Sequence, residues 1–325
     1  MFFFIFIIII QFLLIYNLQN ISKFFKIYDI PDNKRKKHPF PISLFGGFIL
    51  IIPIIYYVLN PINLEINDNS IRYYFSLSAL IIMISIIGFL DDKINIDNKK
   101  RIILIITSVL LITLLSPEIF IIEKIKFSIY ENDINTNYLK MFIFPMGFLI
   151  LSIILNLIDG ENGILLTFFI GVMILVNGIN NNLAFLLLIG TSLVCLVLNL
   201  KNKIFMGSFG CNLITLIIAL LILNKNNNST ILIDEIFLIL ILPFIDSVYL
   251  FIYRSMKNIN PFKPDSDHFH NKIITNLNFV NKKNCYIFYN IYAFTPFLIY
   301  KAFNQILISL LFFIFTYILL RNRKF

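Results

Sequence analysis

Long apolar runs parted by short polar clusters set the pattern of the chain. Residues 2–18 are apolar with Gln11 as the main interruption. At about 17 residues this run is just long enough to cross a bilayer core. No basic segment precedes it and no small-residue cleavage site follows, so it reads as a first spanning helix rather than a removed signal peptide. Further runs lie at 42–59, 73–91, 102–117, 139–157, 163–178, 183–199, 209–224, 231–253, 285–300 and 303–320, which makes eleven predicted spans. The runs at 163–178 and 183–199 are parted only by Ile179-Asn180-Asn181-Asn182, a predicted tight turn.

Two stretches break the pattern. Asn260-Pro261-Phe262-Lys263-Pro264-Asp265-Ser266-Asp267-His268-Phe269-His270-Asn271 is polar and holds two of the three histidines. So wet a segment between apolar runs predicts a loop outside the bilayer that roofs a site. After it, Ile273, Ile274, Leu277 and Val280 recur at helical spacing among Lys272, Asn276 and Asn278. That predicts a short amphipathic helix lying on the inner membrane surface. Residues 118–138 alternate weakly around Glu123 to Ile129, which predicts a short hairpin.

Composition agrees with the pattern. The chain has 325 residues, of which 58% are hydrophobic and 14% charged, with a mean hydropathy of +0.85. Soluble domains carry nearer a quarter charged residues. The expected fold class is therefore an all-α integral membrane protein, a polytopic bundle of about eleven transmembrane helices. Residues 1–325 are read as one domain. The net charge of +9 would suggest nucleic acid in a soluble protein; here it reads as topology, with no nucleic-acid partner. Counting loops alternately from the first, 21 of the 27 Lys and Arg fall on one side. That side is expected to be cytoplasmic, with the N-terminus outside and the C-terminus inside. Cys195, Cys211 and Cys285 have neither metal-ligand spacing nor a disulfide framework.

Every polar cluster with chemical content falls on the basic side. The first loop carries Lys34-Arg35-Lys36-Lys37-His38, then Pro39, Pro41 and Gly46-Gly47. The cations suit lipid headgroups or a phosphorylated ligand, or serve topology alone. The glycine pair permits close backbone approach. The next loop follows Gly88-Phe89-Leu90-Asp91-Asp92. Adjacent carboxylates at a helix C-terminus face the negative end of its dipole, which calls for a cation. Mg²⁺ is one candidate; neutralisation by Lys93 is the other. Asp97 reads as an N-cap. The third loop, Asn156-Leu157-Ile158-Asp159-Gly160-Glu161-Asn162-Gly163, adds a third carboxylate and glycines that free N–H groups for an anion. The fourth runs from Asn199 through Lys201 and Lys203 to Met206-Gly207-Ser208-Phe209-Gly210. Asp246, inside a predicted span, is either functional or paired with a neighbouring span.

These residues, in this order, resemble the polyprenyl-phosphate N-acetylhexosamine-1-phosphate transferases, the glycosyltransferase family 4 group that includes the initiating enzymes of O-antigen and teichoic acid synthesis and the peptidoglycan translocase. The resemblance spans nearly the whole chain: Arg35-Lys36, His38, Pro41 and Gly46-Gly47; Gly88 with Asp91-Asp92; Asn156 to Gly163; Phe205-Met206-Gly207 with Gly210; Pro243 with Asp246; and Pro264-Asp265 with His268-Phe269-His270. It implies transfer of N-acetylhexosamine 1-phosphate, GlcNAc 1-phosphate first, from a UDP-sugar to a polyprenyl (undecaprenyl) phosphate, releasing UMP as the first step of a cell-surface glycan. It implies an active site on the cytoplasmic face of a bacterial plasma membrane and Mg²⁺, or Mn²⁺, as cofactor. Asp91, Asp92, Asp159, His268 and His270 would be catalytic, with Asp91 and Asp92 on the metal. Arg35, Lys36, His38, Asn156, Asn162, Asn199, Asp246 and Lys263 would bind substrates. A homodimer is left open. Four positions depart from the family's pattern. Ser43 stands where a second proline is usual, Ser208 where a metal Asp is usual, Cys211 where a serine is usual, and Asn271 where a further histidine is common. The Ser208 departure implies weaker Mg²⁺ binding, through a rearranged site, an impaired enzyme or a paralogue with altered activity. The competing readings are a non-catalytic membrane scaffold or binding protein and, behind it, a transporter.

Overall fold

The computed structural model describes residues 2–31, 38–60, 70–122, 124–129, 133–178, 182–258, 260, 267–277 and 280–322. The architecture is all-α, with two small hairpins. In chain order the elements are α1 (Phe2–Tyr16), α2 (Leu18–Phe25), β1 (Tyr28–Asp29), β2 (Ile42–Ser43), α3 (Gly46–Val58), α4 (Ile71–Ile94), α5 (Asn98–Leu115) and α6 (Pro117–Phe120). Then follow β3 (Lys124–Ile125), β4 (Ile134–Asn135), a 3₁₀ turn (Asn137–Leu139), α7 (Lys140–Ile158), α8 (Ile164–Asn177), α9 (Leu183–Leu200), α10 (Gly207–Asn227), α11 (Ile233–Met256), α12 (Phe269–Asn276), α13 (Cys285–Phe303) and α14 (Ile306–Asn322). Strands β3 and β4 pair antiparallel, giving the expected hairpin.

Local chemistry fixes several helix starts. Ser70 Oγ accepts the Tyr73 N–H at 3.2 Å, and Asn182 Oδ1 accepts the Ala184 N–H at 2.9 Å. Asp97 accepts the Lys99 N–H at 3.1 Å and is the N-cap the sequence predicts. Between α4 and α5 only three residues intervene, and Asn95 takes the left-handed conformation (φ 50°) that reverses the chain. The first turn of α5 therefore returns beside the last turn of α4.

Each of the eleven apolar runs falls on a helix, but the helices differ in reach. Among the described residues, five are long and apolar enough to cross a membrane: α4, α7, α9, α10 and α11. A sixth is reached if α1 and α2 count as one span, although they bend by 68° at Asn17. Length and composition thus support an all-α membrane protein in which five or six helices pass as full crossings by themselves, and they do not carry the count of eleven. Helices α3, α8 and α14 are apolar but have 13, 14 and 17 residues, short of the roughly 20 that a full crossing takes.

Helix α10 is the axis of the bundle. Its apolar window is 83% buried, against 44–50% in the other four. It packs on α3, α4, α7 and α8. The outer helices turn large apolar side chains outward, such as Ile82 and Ile86 on α4 and Leu307, Leu311 and Phe315 on α14. In water such surface would be costly; against acyl chains it is expected.

Candidate active site at one end of the helix bundle

The site begins with glycines that let three backbones meet. A Cβ on Gly47 would lie 2.6 Å from the Gly210 nitrogen, and one on Gly46 would lie 2.8 Å from the Phe205 carbonyl oxygen. On α4, a Cβ on Gly88 would lie 2.5 Å from Phe209 Cα. The close approach read from Gly46-Gly47 is thus directed at the start of α10. Backbone bonds complete the junction: Phe205 N–H donates to the Ser43 carbonyl at 2.8 Å, and Gly46 N–H donates to the Phe205 carbonyl at 3.1 Å.

This packing presents the first N–H groups of α10 to the last turn of α4. Asp92 accepts Ser208 N–H at Oδ1 (2.7 Å) and Phe209 N–H at Oδ2 (3.0 Å). It therefore caps α10 from another helix, with its charge at the positive end of that dipole. Gly207 has φ +65°, and a Cβ there would lie 2.5 Å from Asp92 Oδ2. Only glycine allows both that backbone and the carboxylate beside it. Asp91 is buried. Its Oδ2 accepts from Arg101 Nη1 at 2.8 Å and from the Ser208 hydroxyl. Arg101 also reaches Ser208 Oγ at 3.3 Å. With the Asn156 amide turned so that its oxygen faces the guanidinium, Asn156 accepts from Arg101 at 2.9 and 3.2 Å. Arg101 is thus the partner of the acidic pair. Lys93, the alternative cation, is exposed and lies over the Phe89 ring at 5.9 Å.

Asp159 caps the C-terminal end of α7 on the same side of the bundle. The Cys211 thiol donates to its Oδ2 at 3.5 Å. Burial pushes the Asp159 carboxyl up to about 7; the Cys211 thiol opposes the rise, while Asp92 and Asp29 add to it. The next residue, Gly160, touches the histidine segment: a Cβ there would lie 2.7 Å from His270 Nε2. His270 is buried on α12 and stacks with His268, ring centroids 5.5 Å apart and planes 6° apart. Burial pushes the His270 imidazole down to about 3, with the His268 charge adding to the fall. His270 is therefore a neutral ring, and Asp159 a carboxyl that titrates near neutrality. Proton transfer uses groups of that kind.

Other expected ligands brace the loops. Asn199 is buried, accepts Gly163 N–H at 2.6 Å and donates to the Ile204 carbonyl at 3.0 Å. Asn162 donates to Asn202 Oδ1 at 2.6 Å. These bonds tie the third loop to the fourth, and Asn199 braces both. His38 bridges Asp29 Oδ2 (2.8 Å) and the Phe40 carbonyl (2.6 Å), with its ring edge-on to Phe205. Arg35, Lys36 and Lys263 lie outside the described residues.

Two further expectations concern the histidine segment and its surroundings. Asp246 is a buried counter-ion: Arg321 Nη1 lies 2.5 Å from its Oδ1, and Phe269 N–H donates to its Oδ2 at 3.1 Å. Of the two options open for an acid inside a span, pairing is the one realised, and the transporter reading loses its main residue. Helix α12 does not rest its apolar side on the membrane surface. Phe269 and Ile273 are fully buried against α13 and α14. Periodicity showed which face is apolar but not that protein covers it.

A Mg²⁺ site was expected at Asp91 and Asp92. Both oxygens of Asp92 are taken by N–H groups, Asp91 is neutralised by Arg101, and Ser208 adds a hydroxyl where a carboxylate was expected. Among the described residues no three His, Cys, Asp or Glu side chains are grouped to hold a metal. Arranged in this way, the donors do not fit a carboxylate-held divalent ion. Arg101 is the residue sequence reasoning passed over. Its signal was positional, one turn into α5 across a three-residue reversal from Asp91.

A comparison with curated proteins finds no match. Residues 74–226 match the model of glycosyl transferase family 4, a stretch that carries Gly88, Asp91, Asp92, Arg101, Asn156, Asp159, Asn199 and Ser208. Over the helices that build most of the site, the chain is thus similar to glycosyl transferase family 4.

Proposed function

We propose that this protein transfers a sugar 1-phosphate from a UDP-N-acetylhexosamine, with GlcNAc the first candidate, to polyprenyl phosphate. The observation that carries the reading is the convergence of Asp159, Gly160 and His270 with the Asp91–Arg101–Ser208 cluster at one end of an apolar bundle. In the reaction an oxygen of the lipid phosphate attacks the β-phosphorus of the UDP-sugar. A new P–O bond forms, the bond to UMP breaks, and UMP leaves with the electron pair. Asp159 takes the proton of the lipid phosphate. Arg101 supplies fixed positive charge against the developing negative charge. His270, neutral, exchanges hydrogen bonds with the pyrophosphate. The site end faces the cytoplasm of a bacterial plasma membrane; Lys93, Lys99, Lys100, Lys201 and Lys203, which flank the helix ends that build the site, support that orientation.

A second reading is favoured by the same cluster. An acidic pair already neutralised by Arg101 suits a protein that binds the lipid or nucleotide without turning it over. Label passing from a UDP-N-acetylhexosamine into organic-extractable lipid, only when polyprenyl phosphate is added, supports the transferase. Binding of either substrate with no labelled lipid supports the second reading.

A further inference from the structure

Arg321, in the last turn of α14, enters the sequence pattern only as one more cytoplasmic-side cation. In the fold its side chain is 5% exposed. Nη1 donates to Asp246 Oδ1 at 2.5 Å and to the Tyr317 hydroxyl at 2.9 Å. Nη2 donates to the Asp267 carbonyl at 3.0 Å. The guanidinium lies 3.8 Å from the Tyr249 ring centroid. The carbonyls of Leu320 and Arg321 accept the Asn276 amide at 3.1 and 2.9 Å. Asp246, fixed by Arg321, turns its other oxygen to Phe269 N–H (3.1 Å) and toward His268 Nδ1 (3.5 Å).

These bonds reach both ends of α12. Asp267, His268 and Phe269 stand at its start and Asn276 is its last residue. Between them Phe269 stacks on Tyr292 and Tyr317. A planar fork can hold a carboxylate and a carbonyl at once; a point charge such as an ammonium cannot fix both directions. An eight-residue helix has little stability of its own. Its register is therefore set by what holds its ends.

We propose that Arg321 is a positioning residue that fixes the register of α12 and so holds His270 against Gly160, beside Asp159. What His270 does there rests on the transferase reading; the register itself does not. The competing role for Arg321 is that of a plain counter-charge for buried Asp246, and Arg321→Lys separates the two. Lysine keeps the charge and loses the fork.

The experiment uses the full-length protein in detergent. Diethyl pyrocarbonate modification of each histidine is followed by mass spectrometry, with His38 as the internal reference. Thermal melting is recorded alongside. In Arg321→Lys, modification of His268 and His270 relative to His38 should rise by about tenfold, with the melt little changed. Asn276→Leu, which removes the second attachment, should act in the same direction. Arg321→Leu should lower the melt as well, because it leaves Asp246 buried without a cation. Wild-type protection of both histidines in Arg321→Lys and Asn276→Leu would overturn the proposal and leave Arg321 as counter-charge. With polyprenyl phosphate and a UDP-sugar, Arg321→Lys should lower kcat and keep KM. If the wild type shows no transfer, the transferase reading fails while the protection data still decide the role of Arg321.

Discussion

Gly88→Ala tests how the site is assembled. The added Cβ would lie 2.5 Å from Phe209 Cα, 2.9 Å from Phe209 N and 3.1 Å from the Ser208 carbonyl carbon. All three are backbone atoms, so no side chain can turn aside. Ordinary contact begins at 3.4 Å, so α4 and the start of α10 must part by about 0.9 Å (3.4 − 2.5). A shift of that size along the Asp92–Ser208 bond, now 2.7 Å, stretches it to about 3.6 Å, outside hydrogen-bonding range. Overpacking costs about 1–3 kcal/mol and a charge-assisted bond about 1.5–3 kcal/mol, and the two are not additive. A total of about 2–5 kcal/mol corresponds to a melting shift of about 3–7 °C. The chain has no tryptophan, but its three cysteines are free and buried. A thiol-reactive fluorogenic dye therefore reports unfolding in detergent. Gly190→Ala is the control, because a Cβ there meets nothing within 4 Å. If the two variants melt alike, the backbone contact does not build the site as described.

Three further outcomes follow from the same geometry. The Asp159 carboxyl is raised from 3.8 to about 7, so the fold binds its proton more tightly than the unfolded chain does; stability is full below about pH 4 and falls as pH rises through 7. Asp159→Asn should lessen that fall in melts taken from pH 4 to 8, the remainder coming from Asp92, which burial also raises to about 7. Ser208→Asp restores a third carboxylate beside Asp91 and Asp92; electron paramagnetic resonance should show one tight Mn²⁺ per chain in the variant and none in the wild type. Arg101→Met leaves Asp91 buried without its cation and should lower the melt by several degrees, corresponding to about 3–5 kcal/mol; Lys93→Met, at an exposed position, should leave it unchanged.

Much of the frame could be read from the chain because one-dimensional signals suffice for it. Apolar runs mark helices, Asp97 declares its cap by position, and Gly46-Gly47 announces a close approach. The contacts that complete the site are tertiary. Arg101 looks like one cation among Lys99 and Lys100 until the reversal at Asn95 turns it back on Asp91. Asp246 and Arg321 are 75 residues apart, and nothing local links them. Asn199 and Asn162 read from the chain as ligand groups in a loop, and nothing local shows that they also tie two loops together. The bend at Asn17 follows a change from almost wholly apolar to amphipathic sequence, which a hydropathy window averages away.

The most direct test of the central claim is UMP release in detergent or liposomes, over a panel of UDP-sugars with and without polyprenyl phosphate, each in Mg²⁺ and in EDTA. The account predicts lipid-dependent UMP release that persists in EDTA and is lost in Asp159→Asn. Release by the Asp159→Asn variant, or none from the wild type with any UDP-sugar, would contradict it.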